Sequence, residues 1–363
     1  MKRSVLSLAF ASALFASQAF ALDVAEYLDA VEYGNDEKLQ EIFAGPDREA
    51  AINYHDSHGH TPLDYAIMRS NPILSYDALL LLVRTGMQPG SENVSPGMRL
   101  ARQIVCGELP ETVRAEDLNE RLPSGMTPFL WACAIADPST VGRFLQAGAD
   151  ASANVRTWNE EDMPEDNALH ITAAHTHYPQ ILTLLLKCGL DIESVSSSSM
   201  TPLLTACMFN ELPDAAITLI RAGADINARS GVSGTPFIYA ARHAYALPLL
   251  KELAAHGAEI GASDDGGKTA MHSAAMNNPN PDVIRYLLSL GLPVNYDIDP
   301  DYEGGAPIML AARHNPSPEV IKLLIEAGAD LAQKDNDGNT AFQGLSKERA
   351  AWLKDAGLGA YVQ

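Results

Sequence analysis

Cationic side chains are scarce in this chain. Lys plus Arg number 25 against 46 Asp plus Glu, a net charge of −21. The phosphate backbone of a nucleic acid would be repelled by that balance, and so would an anionic membrane surface. Aromatic residues make up only 7%, too few for a stacking platform that reads bases. The four cysteines, Cys106, Cys133, Cys188 and Cys207, are widely spaced and form no CxxC pair, so neither a dense disulfide framework nor a zinc or redox motif is indicated. No G-x-S-x-G, H-E-x-x-H or Walker loop occurs, so no catalytic residue is assigned and an enzyme is not expected.

Long apolar runs are absent too, apart from one near the start. Met1-Lys2-Arg3 is a positive stretch, Val5 to Ala16 is apolar but short for a bilayer, and Ala19-Phe20-Ala21 offers a small-x-small cleavage site. The pattern predicts a signal peptide over residues 1–21, a mature chain beginning at Leu22, and export to a bacterial periplasm. Losing Lys2 and Arg3 would take the net charge from −21 to −23. The full chain has 363 residues with 47% apolar content, enough for a large buried core.

The chain repeats itself. Thr201-Pro202-Leu203-Leu204-Thr205-Ala206-Cys207 returns as Thr235-Pro236-Phe237-Ile238-Tyr239-Ala240-Ala241 and as Thr269-Ala270-Met271-His272-Ser273-Ala274-Ala275, each copy 34 residues on. Related copies start at Thr61, Thr127, Asn167, Ala306 and Thr340, and a degenerate unit is expected near Ser95-Pro96. A second signature keeps phase with the first: Gly189, Gly223, Gly257, Gly291 and Gly328 each follow their start by 22 residues. The two landmarks bracket two short helices. Thr caps the first and Pro sits in its first turn, where no backbone donor is lost. A second Pro restarts the chain, Leu-Leu at 287–288 and 323–324 supplies a buried stripe, and Gly ends the second helix in a left-handed conformation.

These motifs resemble the ankyrin repeat, with its T-P-L-H-x-A-A and L-L-x-x-G-A-D patterns, over roughly residues 24–358. The resemblance implies an all-α fold, an α-solenoid of stacked helix-turn-helix repeats with hairpin loops. The expected organisation is a signal peptide at 1–21, irregular N-terminal units with an N-cap at 22–126, regular repeats at 127–339, and a C-terminal capping repeat at 340–363. The family's Gly-His between the two helices is missing here, and Pro-rich turns take its place.

In the family, the two positions after the Ala-Ala pair line a concave groove. Here the resemblance assigns Met208, Phe209, Arg242, His243, Met276, Asn277, Arg313 and His314 to a protein-binding groove. Two readings of these residues stay open, contact with a partner and packing against neighbouring repeats. Trp158, Tyr296 and Tyr302 lie on the two lengthened loops and are candidate loop contacts, because exposed aromatics are enriched in binding hot spots. His55-Asp56-Ser57-His58-Gly59-His60 gathers three imidazoles and a carboxylate. The run falls where hairpin turn residues are expected, so it is read as solvated turn and no metal site is assigned.

The expected function is a periplasmic scaffold that binds one partner protein through groove and loop tips, either supporting an enzyme or neutralising a toxic effector. No cofactor is implied. Strong acidity would favour a basic partner. The alternative is a metal- or haem-handling protein using His55, His58 and His60.

Overall fold

Threonine caps start the first helix of most regular repeats. Thr127, Thr201 and Thr235 accept the backbone N–H three residues on, from Leu130, Leu204 and Ile238, at 3.2–3.4 Å. The helices that follow are Pro128–Ile135, Pro202–Phe209 and Pro236–Ala240. Ala270–Asn277 is closed by a capping box in which Thr269 and His272 satisfy each other's backbone. Pro307–His314 has no side-chain cap, because Ala306 replaces the threonine. The second helices are Pro138–Gln146, Gln180–Lys187, Pro213–Arg221, Leu247–Ala255, Pro281–Ser289 and Pro318–Glu326. Glycines at positive φ, from Gly148 to Gly328, follow their ends, as the sequence predicts.

The computed structural model describes residues 22–33, 35–69, 78–79, 81–87, 90, 94–155, 166–196, 198–296, 305–335 and 337–362. The predicted signal segment, Trp158 and Tyr302 lie outside them. The described residues are helical, without named strands, and none of their helices is long and apolar enough to cross a membrane. The fold is an α-solenoid of ankyrin repeats.

The chain divides into two compact units, Met1–Ile171 and Thr172–Gln363. In the first, the helices Val24–Tyr33, Pro62–Arg69, Pro96–Cys106 and Pro128–Ile135 pack in succession. Ser95 caps Pro96–Cys106 through its hydroxyl and Gly107 ends it at φ 76°. At Asp64 this unit departs from the T-P-L-H pattern. The Asp64 carboxylate is fully buried and meets Arg102 Nε at 2.7 Å. Its second oxygen accepts the Thr61 N–H and hydroxyl and the Gly90 N–H. A buried charge is tolerable only with partners of this kind.

In the second unit, Pro202–Phe209, Pro236–Ala240, Ala270–Asn277 and Pro307–His314 form one row, and the second helices form another. Val283, Ile284 and Leu287 fill the core from one second helix, and Val320, Ile321 and Leu324 fill it from the next. Leu287 is buried as expected. Leu323 is not the inward residue of its pair, because the helical phase set by Val320 brings Leu324 to the core instead.

The last copy of the motif also differs from expectation. Thr340-Ala341-Phe342 buries Ala341 and Phe342 but opens no helix. Gly344 takes φ 69° four residues on, and the Gln343 side chain accepts the Thr340 N–H. The unit keeps a single helix, Lys347–Leu353, capped by Ser346 and followed by a wide turn through Leu358.

Between repeats the chain makes a recurrent five-residue turn. The N–H of residue i bonds the carbonyl of i+4 at Asp56–His60, Leu122–Met126, Ser196–Met200, Ser230–Gly234, Asp264–Lys268 and Asp335–Asn339. The fourth residue is left-handed in each: Gly59, Gly125, Ser199, Ser233, Gly267 and Gly338. A left-handed position of this kind suits glycine.

Candidate functional site

The eight candidate groove residues all belong to the second unit, at the C-terminal ends of the first helices. Met208 and Phe209 end Pro202–Phe209, Met276 and Asn277 end Ala270–Asn277, and Arg313 and His314 end Pro307–His314. Arg242 and His243 lie just past the shortened helix Pro236–Ala240, in a tightened turn where His243 N–H bonds the Ala240 carbonyl. Met208, Phe209, Arg242, His243, Met276 and Arg313 are half-buried, while Asn277 and His314 are exposed. The successive packing of the first helices therefore lines up soft apolar side chains beside guanidinium groups.

The cations differ in what they do. Arg313 Nη2 is paired with the Asp335 carboxylate, which lies on the next turn. Burial would raise that carboxyl, but the bond from Arg313 and backbone N–H groups hold it below its usual range. Arg242 has no ion pair among the described residues. His243 points its Nε2 at the Cys207 carbonyl, 3.0 Å away, so that nitrogen carries the proton and donates it. Burial first, and the neighbouring Arg242 second, push the His243 imidazole below its ordinary value. His243 thus packs on the preceding repeat.

A ladder that the sequence reading missed ties these helix ends together. Asn210 Nδ2 donates to the carbonyls of Ala173 and Thr176. Asn278 donates to Ala241 and His243, and Asn315 to Ala274, Ala275 and Asn278. In each case the amide oxygen accepts the N–H two residues on, from Leu212, Asn280 and Ser317. One asparagine therefore satisfies orphan carbonyls of the preceding helix and shapes its own turn. Arg349 ends the ladder, donating to Ala311, Ala312 and Asn315. The signal was present: Asn210, Asn278 and Asn315 each begin an N-x-x-P, nine residues after a repeat start. They stand where the family's Gly-His is absent.

At the opposite ends of the second helices a second set works the same way. Asn227 bonds the Gly257 carbonyl and the Glu259 N–H, and Asn295 bonds the Gly328 carbonyl and the Asp330 N–H. Tyr296, the described member of the loop-contact set, is half-buried, with its ring 5.0 Å from that of His272.

In the first unit, the histidine run is sorted by its turn. His55 is exposed and stands apart. Asp56 Oδ1 accepts the backbone N–H of His58 at 2.7 Å and of His60 at 2.9 Å. Asp56 Oδ2 accepts the Tyr65 hydroxyl at 2.9 Å and lies 3.2 Å from His60 Nδ1 and 3.7 Å from His58 Nδ1. Partial burial would raise the Asp56 carboxyl, but the His60 backbone N–H, the Tyr65 hydroxyl and the His58 backbone N–H hold it down at about 2. The four cysteines are free thiols. Cys133 and Cys207 are fully buried as expected, Cys106 is partly covered and Cys188 is exposed.

A family model described as ankyrin repeats in three copies matches residues 129–230 and 237–335. The B-cell lymphoma 3 protein homolog of Mus musculus is 28% identical over 242 residues, covering 65% of this chain; the chain spans 45% of that protein's length. A crystal structure of the human ASB11 ankyrin repeat domain superposes with a TM-score of 0.50 at 22% identity, over 66% of this chain and 99% of that one. Ankyrin repeats generally bind other proteins and are generally not catalytic. The family match spans more than half of the chain and takes in the core stripes and the three ladder asparagines: this protein belongs to the ankyrin-repeat family.

Proposed function

We propose that the protein is an exported scaffold that docks one basic partner protein in the periplasm, through the row of helix ends in its second unit. The observation that carries this reading is the composition of that row. Met208, Phe209 and Met276 present half-covered apolar surface around Arg242, a cation with no ion pair among the described residues. Methionine, phenylalanine and arginine are enriched at protein interfaces relative to the rest of the surface. A net charge of −21 would steer a basic partner towards the molecule and disfavour acidic competitors. His243 and Arg313 serve the surface differently, since each is engaged by the array itself. Supporting an enzyme and neutralising a toxic effector are the two roles that fit such a scaffold.

The test is a photo-crosslinking residue placed at Phe209 or Met276, with a control at the exposed Lys251 on the second-helix row. A partner trapped from periplasmic extract at the first two positions only, and lost in the Phe209→Ala/Arg242→Ala variant, is the expected result. Equal trapping at all three positions, or unchanged capture by the double variant, would discard this surface. Absence of the protein from the periplasmic fraction would discard the location.

A further inference from the structure

We infer that the turn at Asp56–His60 is a binding site for a single zinc ion, held by Asp56 Oδ2, His58 Nδ1 and His60 Nδ1. One ligand atom from each of the three side chains lies within 4.8 Å of the other two. A tetrahedral zinc ion, with bonds of about 2.0–2.1 Å, keeps neighbouring ligand atoms about 3.3–3.4 Å apart. The observed separations of 3.2 Å and 3.7 Å between Asp56 Oδ2 and the two imidazole nitrogens bracket that edge. The nitrogens therefore need only small side-chain rotations to share an ion with the carboxylate.

The ligands are held before any ion arrives. The turn is closed by the Asp56 N–H to His60 carbonyl bond and by left-handed Gly59. Asp56 Oδ1 is occupied by two backbone N–H groups, which orients Oδ2 towards the imidazoles. Tyr65 holds Oδ2 through its hydroxyl, and its ring stands edge-on to that of His60 at 6.3 Å. This is the outer-shell support that metal-ligating carboxylates characteristically carry. The two imidazoles lie nearly parallel, 23° apart. The neighbouring polar atom, the Ser57 hydroxyl at 3.4 Å from His58 Nδ1, is free to rotate away.

The other turns of the same backbone geometry hold different chemistry. Asp335 faces Arg313, and at Ser230 the partner is the Tyr239 hydroxyl. Only the Asp56 turn, among those described, supplies two imidazoles. His58 is largely exposed, so the site opens to solvent and leaves the fourth position of the ion to water or to an incoming ligand. The inference is independent of the proposed docking row, which lies in the other unit. It narrows the metal-handling alternative from His55, His58 and His60 to a set in which Asp56 replaces His55.

Equilibrium dialysis and titration calorimetry of the full chain with zinc alone test it. One equivalent of zinc should bind, and His58→Ala and His60→Gln should each weaken binding at least tenfold. His55→Ala should change it less than twofold. Cobalt substitution should give a visible absorption band of low coordination number that both ligand variants lose. Circular dichroism spectra and unfolding midpoints unchanged by either substitution would separate ligand loss from misfolding. Binding that survives His58→Ala and His60→Gln combined in one chain, equal loss with His55→Ala, or no binding above buffer by a correctly folded chain would overturn the assignment.

Discussion

Asn315 reaches back 37 residues to donate its side-chain amide to the backbone carbonyl of Asn278, 2.9 Å away. Asn278 is itself the residue that makes the same reach to the repeat before. Each asparagine is thus donor to one repeat and landmark for the next. The array is stabilised through neighbour contacts of this kind, as expected of a quasi-one-dimensional stack.

Removing a ladder amide should therefore uncover several buried carbonyls at once. Asn315→Ala is expected to cost about 1–3 kcal/mol. Asn315→Asp, which keeps the shape but replaces the donor by an acceptor facing carbonyls, should cost more. Urea unfolding followed by circular dichroism gives both values, and equal stability of Asp and Asn at 315 would contradict the ladder.

The inward phase of Pro318–Glu326 separates two adjacent leucines. Leu324 is fully buried and Leu323 is not. Leu324→Ala should lose about 2–5 kcal/mol through the cavity it leaves, and Leu323→Ala about 1 kcal/mol. The same unfolding measurement orders them, and a reversed order would mean that the helix is rotated from its described phase.

Two serines occupy turn positions that four other turns fill with glycine. Ser199 has φ 55° and Ser233 φ 59°. A left-handed conformation costs an ordinary residue about 1–2 kcal/mol, and glycine's entropy returns about 0.5–1 kcal/mol of that. Ser199→Gly is therefore expected to be stabilising by about 0.5–1 kcal/mol. Ser233→Gly should gain about the same or less. A fall in melting temperature for both would refute the strain.

Stability should fall as the solution is acidified from about pH 6.5 to about pH 4. Burial, aided by Lys268, lowers the His272 imidazole from 6.5 to about 4. Its Nδ1 faces the Thr269 N–H at 3.1 Å, a contact that requires an unprotonated nitrogen. Above the unfolded value both states are neutral and the contribution is complete. Between the two values the unfolded chain binds a proton that the fold refuses, and the contribution is lost progressively as pH falls to the folded value. His243 and His314 shift in the same direction. In His272→Asn, unfolding free energy plotted against pH should flatten by up to one proton in this window; an unchanged slope would exclude His272 as a source.

The features legible in the primary structure are the short-range ones. A threonine accepting an N–H three residues on, a proline in a first turn and a glycine ending a helix all depend on neighbours within one helical turn, so Thr127, Thr201 and Gly223 declare themselves in one dimension. Repetition then makes them specific, and with them the family and the solenoid follow. Three matters needed the packed molecule. The choice between Leu323 and Leu324 rests on helix rotation against the adjacent repeat. The reach of Asn315 and the pairing of Arg313 with Asp335 join residues 22 to 41 positions apart, and only the register of stacked repeats brings them within bonding distance. Tyr65 is assigned to Asp56 because a helix face and a turn converge there, a convergence that charge, spacing and composition do not encode.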